Sequence, residues 1–129
     1  MILLDTCTII WDALDPSKLS AKATTAINDT DSDLIMCDIS IWEIAMLIQK
    51  NRLIVDSTAS KFIDLVLQAR NFRIQKITPA IAELSINFGQ EINNDPADRL
   101  ISATSILLNA PLVTADQNLR DFSLVDTVW

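Results

Sequence analysis

The chain has 129 residues, half of them apolar, so it is sized for one domain, residues 1–129, with a core that needs no disulfide or structural metal. It contains no histidine and a single glycine, Gly89. That excludes imidazole acid–base catalysis, Ser-His-Asp chemistry, His-ligated zinc and any glycine-rich phosphate loop. The net charge of −7 argues against a general electrostatic grip on nucleic acid.

The charge is uneven. Eight of the ten basic residues lie between Lys18 and Lys76, whereas from Ile77 onward seven acids face only Arg99 and Arg120. Bound cations reverse the sign of such an acidic end, which makes it compatible with a metal site. No apolar run is long enough to span a membrane, and the start lacks the basic region of a signal peptide, so the expected compartment is cytoplasmic. Cys7 and Cys37 are expected in apolar surroundings as inert buried thiols.

Taken in order, Met1 to Leu4 reads as a strand buried on both faces, ended by Asp5. A helical run follows from Thr8 to Leu14, a break at Asp15-Pro16-Ser17, and helical spacing from Lys18 to about Asn28. Leu34 to Cys37 reads as a second buried strand. Ser40-Ile41-Trp42-Glu43 has the form of a capping box opening the next helix, with Trp42 expected in the core. A further helix is expected from Ser57 to Arg70 with Phe62, Leu65, Val66 and Ala69 on one side, then a half-exposed strand from Phe72 to Ile77. Thr78-Pro79 starts a helix that Gly89 is expected to stop. Pro96 to Leu108 forms the next helix. Leu112 to Thr114 is a strand, Gln117 to Asp121 a short helix, and Leu124 to Val128 a last strand.

Strands alternating with helices point to an α/β domain with a mainly parallel sheet, whose ligands gather beyond the carboxyl ends of its strands. Asp5 and Asp116 each follow a strand, while Glu43 and Asp98 are each expected in the first turn of a helix. All four are therefore expected in one pocket. Each also has a capping role open to it, as does Asp95 before Pro96. Carboxylates crowded without cations repel one another and raise each other's pKa, a problem that a hard divalent ion removes. Such an ion stabilises charge on a phosphate and activates water, with no need of histidine. Thr6 and Thr114 flank the acids and serve either to order water or ligand or as capping hydroxyls. Arg99 is expected to pair with Asp95 or a neighbouring acid, with phosphate contact a second role.

Ile2-Leu3-Leu4-Asp5-Thr6-Cys7, Ser40-Ile41-Trp42-Glu43-Ile44, Asp95-Pro96-Ala97-Asp98-Arg99-Leu100-Ile101 and Leu112-Val113-Thr114-Ala115-Asp116, in that order, resemble the PIN-domain ribonucleases, and within them the VapC-type toxins of toxin–antitoxin pairs. The resemblance spans nearly the whole chain. It implies a three-layer α/β/α fold and metal-dependent endoribonuclease activity. Asp5, Glu43, Asp98 and Asp116 fall on the family's acidic quartet, which is both metal-binding and catalytic; Asp95 assists, and Mg²⁺ is the implied ion, with Mn²⁺ as a substitute. An RNA substrate, a cognate antitoxin and a homodimer are implied partners. Asp38 is an extra acid beside the second strand. The alternative is a module of the same fold that binds RNA or a protein without cutting. The haloacid-dehalogenase pattern fails, since Cys7 stands where its second aspartate is required.

Overall fold

The computed structural model describes residues 1–129. Its elements are β1 (Ile2–Leu4), α1 (Thr6–Leu14), a 3-10 turn (Pro16–Lys18), α2 (Ala21–Asn28), β2 (Leu34–Cys37), α3 (Asp38–Gln49), α4 (Ala59–Arg70), β3 (Arg73–Gln75), α5 (Pro79–Asn87), α6 (Pro96–Leu108), β4 (Leu112–Val113), α7 (Gln117–Arg120) and β5 (Thr127–Val128). The strands form one sheet in the order β3-β2-β1-β4-β5, and every pairing is parallel.

Alternation along the strands divides the interior into two cores. Leu3, Ile35 and Leu112 share one face, where they pack with Ile81 of α5, Ile101 and Ala103 of α6, and Phe122. Leu4, Met36 and Val113 share the opposite face, with Ile9 of α1, Ile27 of α2, Ile44 of α3 and Val66 of α4. Because both faces are covered, β1 and β2 are apolar at every position, and the result is the expected three-layer α/β/α arrangement.

Polar side chains set the helix starts. Asp5, Ser20, Thr58, Thr78, Asp95 and Asp116 each accept a hydrogen bond from a backbone N–H of the helix they precede. The ends are equally specific. Asn71 and Asn109 close α4 and α6 in the left-handed region, with φ of 53° and 50°. Asparagine tolerates that conformation better than other side-chain-bearing residues, so a chain with one glycine can still terminate its helices sharply.

The structure corrects several expected boundaries. The helix expected from Lys18 begins at Ala21, because the Ser20 hydroxyl caps it there. Gly89 does not stop α5; that helix ends at Asn87, and Phe88 turns away to bury its ring edge-on against Phe122. On α4 the buried positions are Phe62, Ile63 and Val66, whereas Leu65 is 63% exposed. The last strand shortens to Thr127–Val128, since Val125 enters the core instead.

Two corrections bear on the site. The capping box at Ser40 does not form: α3 starts two residues earlier, at Asp38 directly after β2, so Ser40 lies inside the helix and fully buried. Glu43 consequently sits in the second turn rather than the first. Trp42 lies outside the core, 61% exposed, two positions and so roughly half a turn from each of the buried residues Ser40 and Ile44.

Candidate active site

The sheet reverses its direction of growth at β1, with β2 and β3 on one side and β4 and β5 on the other. Crevices in open parallel sheets lie at such a switch point, beyond the carboxyl ends of the strands. Asp5 immediately follows β1, and Asp116 lies shortly after β4. The Asp5 N–H donates to the Val113 carbonyl at 3.3 Å, which locks the two strand ends together. From above, α3 contributes Glu43, and the start of α6 contributes Asp95 and Asp98. All five acids line one cleft of about 350 Å³, floored by Ile101 and Ala115.

Each carboxylate is held by its own neighbours. Asp5 is 7% exposed; its Oδ1 accepts from the Thr8 N–H at 2.8 Å, and its Oδ2 accepts a short hydrogen bond from the Thr114 hydroxyl. Thr114 Oγ1 in turn accepts from the Asp116 N–H at 3.1 Å. Asp116 Oδ1 caps α7 through the Asn118 N–H at 2.8 Å. Glu43 Oε1 accepts from Thr6 Oγ1 at 2.5 Å, and that hydroxyl also meets Ser40 Oγ at 2.9 Å. Thr6 and Thr114 thus orient acids directly. Asp95 is the expected N-cap of α6, with Oδ1 accepting from Ala97.

Asn93 was not singled out by its sequence context, yet it ties this end of the site together. Its Nδ2 donates to Asp98 Oδ2 at 2.8 Å, its Oδ1 accepts from the Asp95 N–H, and its own N–H donates to Asn118 Oδ1. A lone asparagine in a polar loop carries no periodicity or spacing signal, so only the fold reveals it.

Arg99 forms no ion pair with Asp95 or any other acid; the Arg70–Asp12 contact at 2.7 Å is the salt bridge present. Its guanidinium instead donates to the carbonyls of Asn93, Ser85, Phe88 and Gly89 at 2.8–3.2 Å. Those of Ser85 and Phe88 belong to the end of α5, where carbonyls lack helical partners, so a cation supplies what the helix cannot. Asp38 also lies apart, accepting from the Ile77 N–H through Oδ2.

Three of the acids are pushed above the ordinary carboxylate range. Asp98 reaches about 6, first through burial and then through Asp95, Asp116 and Glu43, against the opposing Asn93 hydrogen bond. Burial raises Asp5, with Asp116 adding to it and the Thr114 and Thr8 hydrogen bonds opposing. Burial likewise raises Glu43, opposed by Thr6. Cys7 is exposed in the cleft rather than buried among apolar side chains as expected; desolvation and the surrounding acids push its thiol up to about 11. Cys37 is buried, also at about 11.

No lysine or arginine lines the cleft. The acids therefore have no protein cation to offset their mutual repulsion, and the donors are all hard oxygens, the set that Mg²⁺ or Mn²⁺ prefers. With side chains as they stand, no three acids close on a common point. The donor chemistry fits a divalent ion.

The all-parallel α/β/α fold is shared with several solved structures. VapBC2 from Rickettsia felis bound to a promoter DNA fragment matches with a TM-score of 0.71 at 16% identity, covering 98% of this chain and 97% of that one. A toxin–antitoxin complex from Klebsiella pneumoniae matches with a TM-score of 0.68 at 22% identity, covering 97% and 95%. VapC20 of Mycobacterium tuberculosis, a sarcin–ricin-loop-cleaving toxin, matches with a TM-score of 0.66 at 14% identity, covering 93% of each chain. These likenesses concern the fold.

Residues 2–124 match the family model of the PIN domain. Ribonuclease VapC22 of Mycobacterium tuberculosis is 34% identical over 119 residues, 92% of this chain and 89% of that protein. The chain belongs to the PIN-domain family.

Proposed function

We propose that this chain is a metal-dependent endoribonuclease, the toxin of a toxin–antitoxin pair, and that residues 1–129 act as one PIN unit. The observation that carries the reading is the ring of five carboxylates around one cleft of a PIN domain without a single basic lining residue. The 34% identity to Ribonuclease VapC22 supports RNA as the substrate.

Asp5, Glu43, Asp98 and Asp116 would hold Mg²⁺, with Mn²⁺ as a substitute. When bound, such an ion offsets charge on a phosphate oxygen and lowers the pKa of water. The remaining work belongs to the chain. Thr8 and Thr114 fix both oxygens of Asp5, making it the rigid member of the set. Thr6 holds Glu43 and Asn93 holds Asp98, so each keeps one oxygen free of a side-chain partner. Asp95 stabilises the start of α6, which keeps Asp98 at the cleft. Without a cation, the acid walls repel an incoming phosphate, which makes substrate entry conditional on neutralisation of the acids.

A cognate antitoxin that blocks the cleft is the expected protein partner, in line with the toxin–antitoxin complexes among the fold neighbours. We further propose a homodimer acting in the cytoplasm.

The test is cleavage of cellular RNA with Mg²⁺, with EDTA, and by Asp98→Asn. Products are expected only from the unaltered protein with Mg²⁺. Activity that survives EDTA, or an unimpaired variant, rejects the reading. Retarded RNA with no products after prolonged incubation with Mn²⁺ points instead to a module that binds without cutting.

A further inference from the structure

We propose that Trp11 is a nucleobase-stacking platform at the rim of the acid cleft, a residue that positions single-stranded RNA beside the carboxylates; the inference rests on the endoribonuclease reading and specifies how the substrate is held.

The placement follows from α1. Asp5 caps that helix, and Cys7 and Trp11, four residues apart, share one of its faces. Both line the cleft with the acids. Trp11 lies six residues along the helix from Asp5, about 9 Å of axial rise. A base resting on the indole would therefore belong to a nucleotide near the one at the acids.

The ring is held yet open. Trp129 lies 5.9 Å away, centroid to centroid, tilted by 55°, and Lys18 Nζ stands 6.0 Å from the Trp11 ring centre. Trp11 belongs to neither hydrophobic core and is only half-buried. An indole braced by a second aromatic loses little freedom on binding. The Lys18 side chain is long and exposed, so it can yield the ring face to a base and reach the adjoining phosphate.

Charge explains the need for such a surface. The chain carries a net charge of −7, and the cleft presents five acids and no base. Beyond the one phosphate that a bound ion would neutralise, RNA therefore gains little from phosphate contacts at the cleft itself. Stacking does not depend on charge and is tolerant of sequence. Trp11 is the one aromatic residue in the cleft lining.

The experiment uses Asp98→Asn protein, which separates binding from cutting, with Trp42→Phe to remove an emitter outside the cleft. The probe is a mixed-sequence single-stranded RNA of about twelve nucleotides, within the usual site size for such strands, alongside the same chain made fully abasic. Intact RNA is expected to quench tryptophan emission strongly and the abasic chain weakly. Trp11→Ala is expected to weaken the dissociation constant about tenfold or more, and Trp11→Phe, which keeps a ring, by no more than about threefold. Thermal melts establish that each variant is folded.

The inference is overturned by no quenching by intact RNA, by equal quenching by the abasic chain, or by Trp11→Ala binding as tightly as its parent. Loss in Trp11→Phe as large as in Trp11→Ala also overturns it, since that is the mark of packing rather than stacking. If the unaltered protein cuts no RNA while Trp11-dependent binding persists, the nuclease reading fails and the platform stands. If cutting proceeds and Trp11→Ala is neutral in binding, the platform alone fails.

Discussion

The first hydroxyl of α1 holds an acid of α3: Thr6 Oγ1 donates to Glu43 Oε1 at 2.5 Å and meets the buried Ser40 Oγ at 2.9 Å. Two helices that start from adjacent parallel strands are thereby joined at the edge of the cleft. Thr6→Val removes the donor, leaving Glu43 loose and Ser40 unpartnered. The expected result is a stability loss of about 1–2 kcal/mol and an activity loss of about tenfold or more, the usual effect of removing a partner that orients a metal-binding side chain. Thr6→Ser is expected to recover most of both, as measured by thermal unfolding and RNA cleavage.

Asn93 acts at the opposite side of the cleft, where its amide orients Asp98 and its loop joins α6 to α7. Asn93→Ala is expected to raise the Mg²⁺ concentration needed for half-maximal cleavage by about tenfold while leaving activity at saturating Mg²⁺ less affected. A titration of rate against Mg²⁺ distinguishes this from simple unfolding, which lowers the maximum without moving the midpoint.

The raised carboxyl pKa values have a consequence for metal-free protein. The folded state binds the Asp98 proton more tightly than the unfolded chain does, with a pKa moved from 3.8 to about 6. Its stabilising contribution is therefore full below about 3.8 and is lost as pH rises through about 6. Asp5 and Glu43 shift in the same direction. In EDTA the protein should melt at a higher temperature near pH 5 than near pH 7.5, by a margin kept modest because Asp98 is only partly buried and solvent screens its charge. Excess Mg²⁺ should shrink or reverse that difference, because cation binding favours the ionised acids. A melting temperature in EDTA that rises with pH over this window contradicts the account.

Arg99 is predicted to matter through structure. Its guanidinium closes the α5 end and anchors the Asn93 loop through four backbone carbonyls. Arg99→Met strands those oxygens and is expected to cost about 2–4 kcal/mol in urea unfolding. Arg99→Lys recovers only part, since an ammonium cannot span the fork.

How much of this was legible beforehand varies by residue. Asp95 and Asp116 read correctly as caps because capping is a local matter of one side chain and the N–H groups just ahead of it. Glu43 was named for the cleft on the wrong local ground: Ser40 and Glu43 have capping-box spacing, but α3 begins at Asp38 and buries Ser40. Trp42 was expected inside on a different ground, the general tendency of large aromatics to bury, and its place on the outer face of α3 overrides that tendency. Asn93 and the carbonyl-bound Arg99 were invisible, as their partners lie on other elements.

The amino-acid order by itself determined the alternating apolar strands, most cap positions, the absence of imidazole and glycine-loop chemistry, and the identity of the acids, because each depends on neighbours a few residues away or on composition alone. Only the tertiary structure decided that the acids share a cleft, that Thr6, Thr114 and Asn93 orient them, and that Trp11 stands at its rim. Those relations join positions as far apart as Asp5 and Thr114, and they follow from the strand order β3-β2-β1-β4-β5, which sets β1 beside β4 at the point where the sheet reverses.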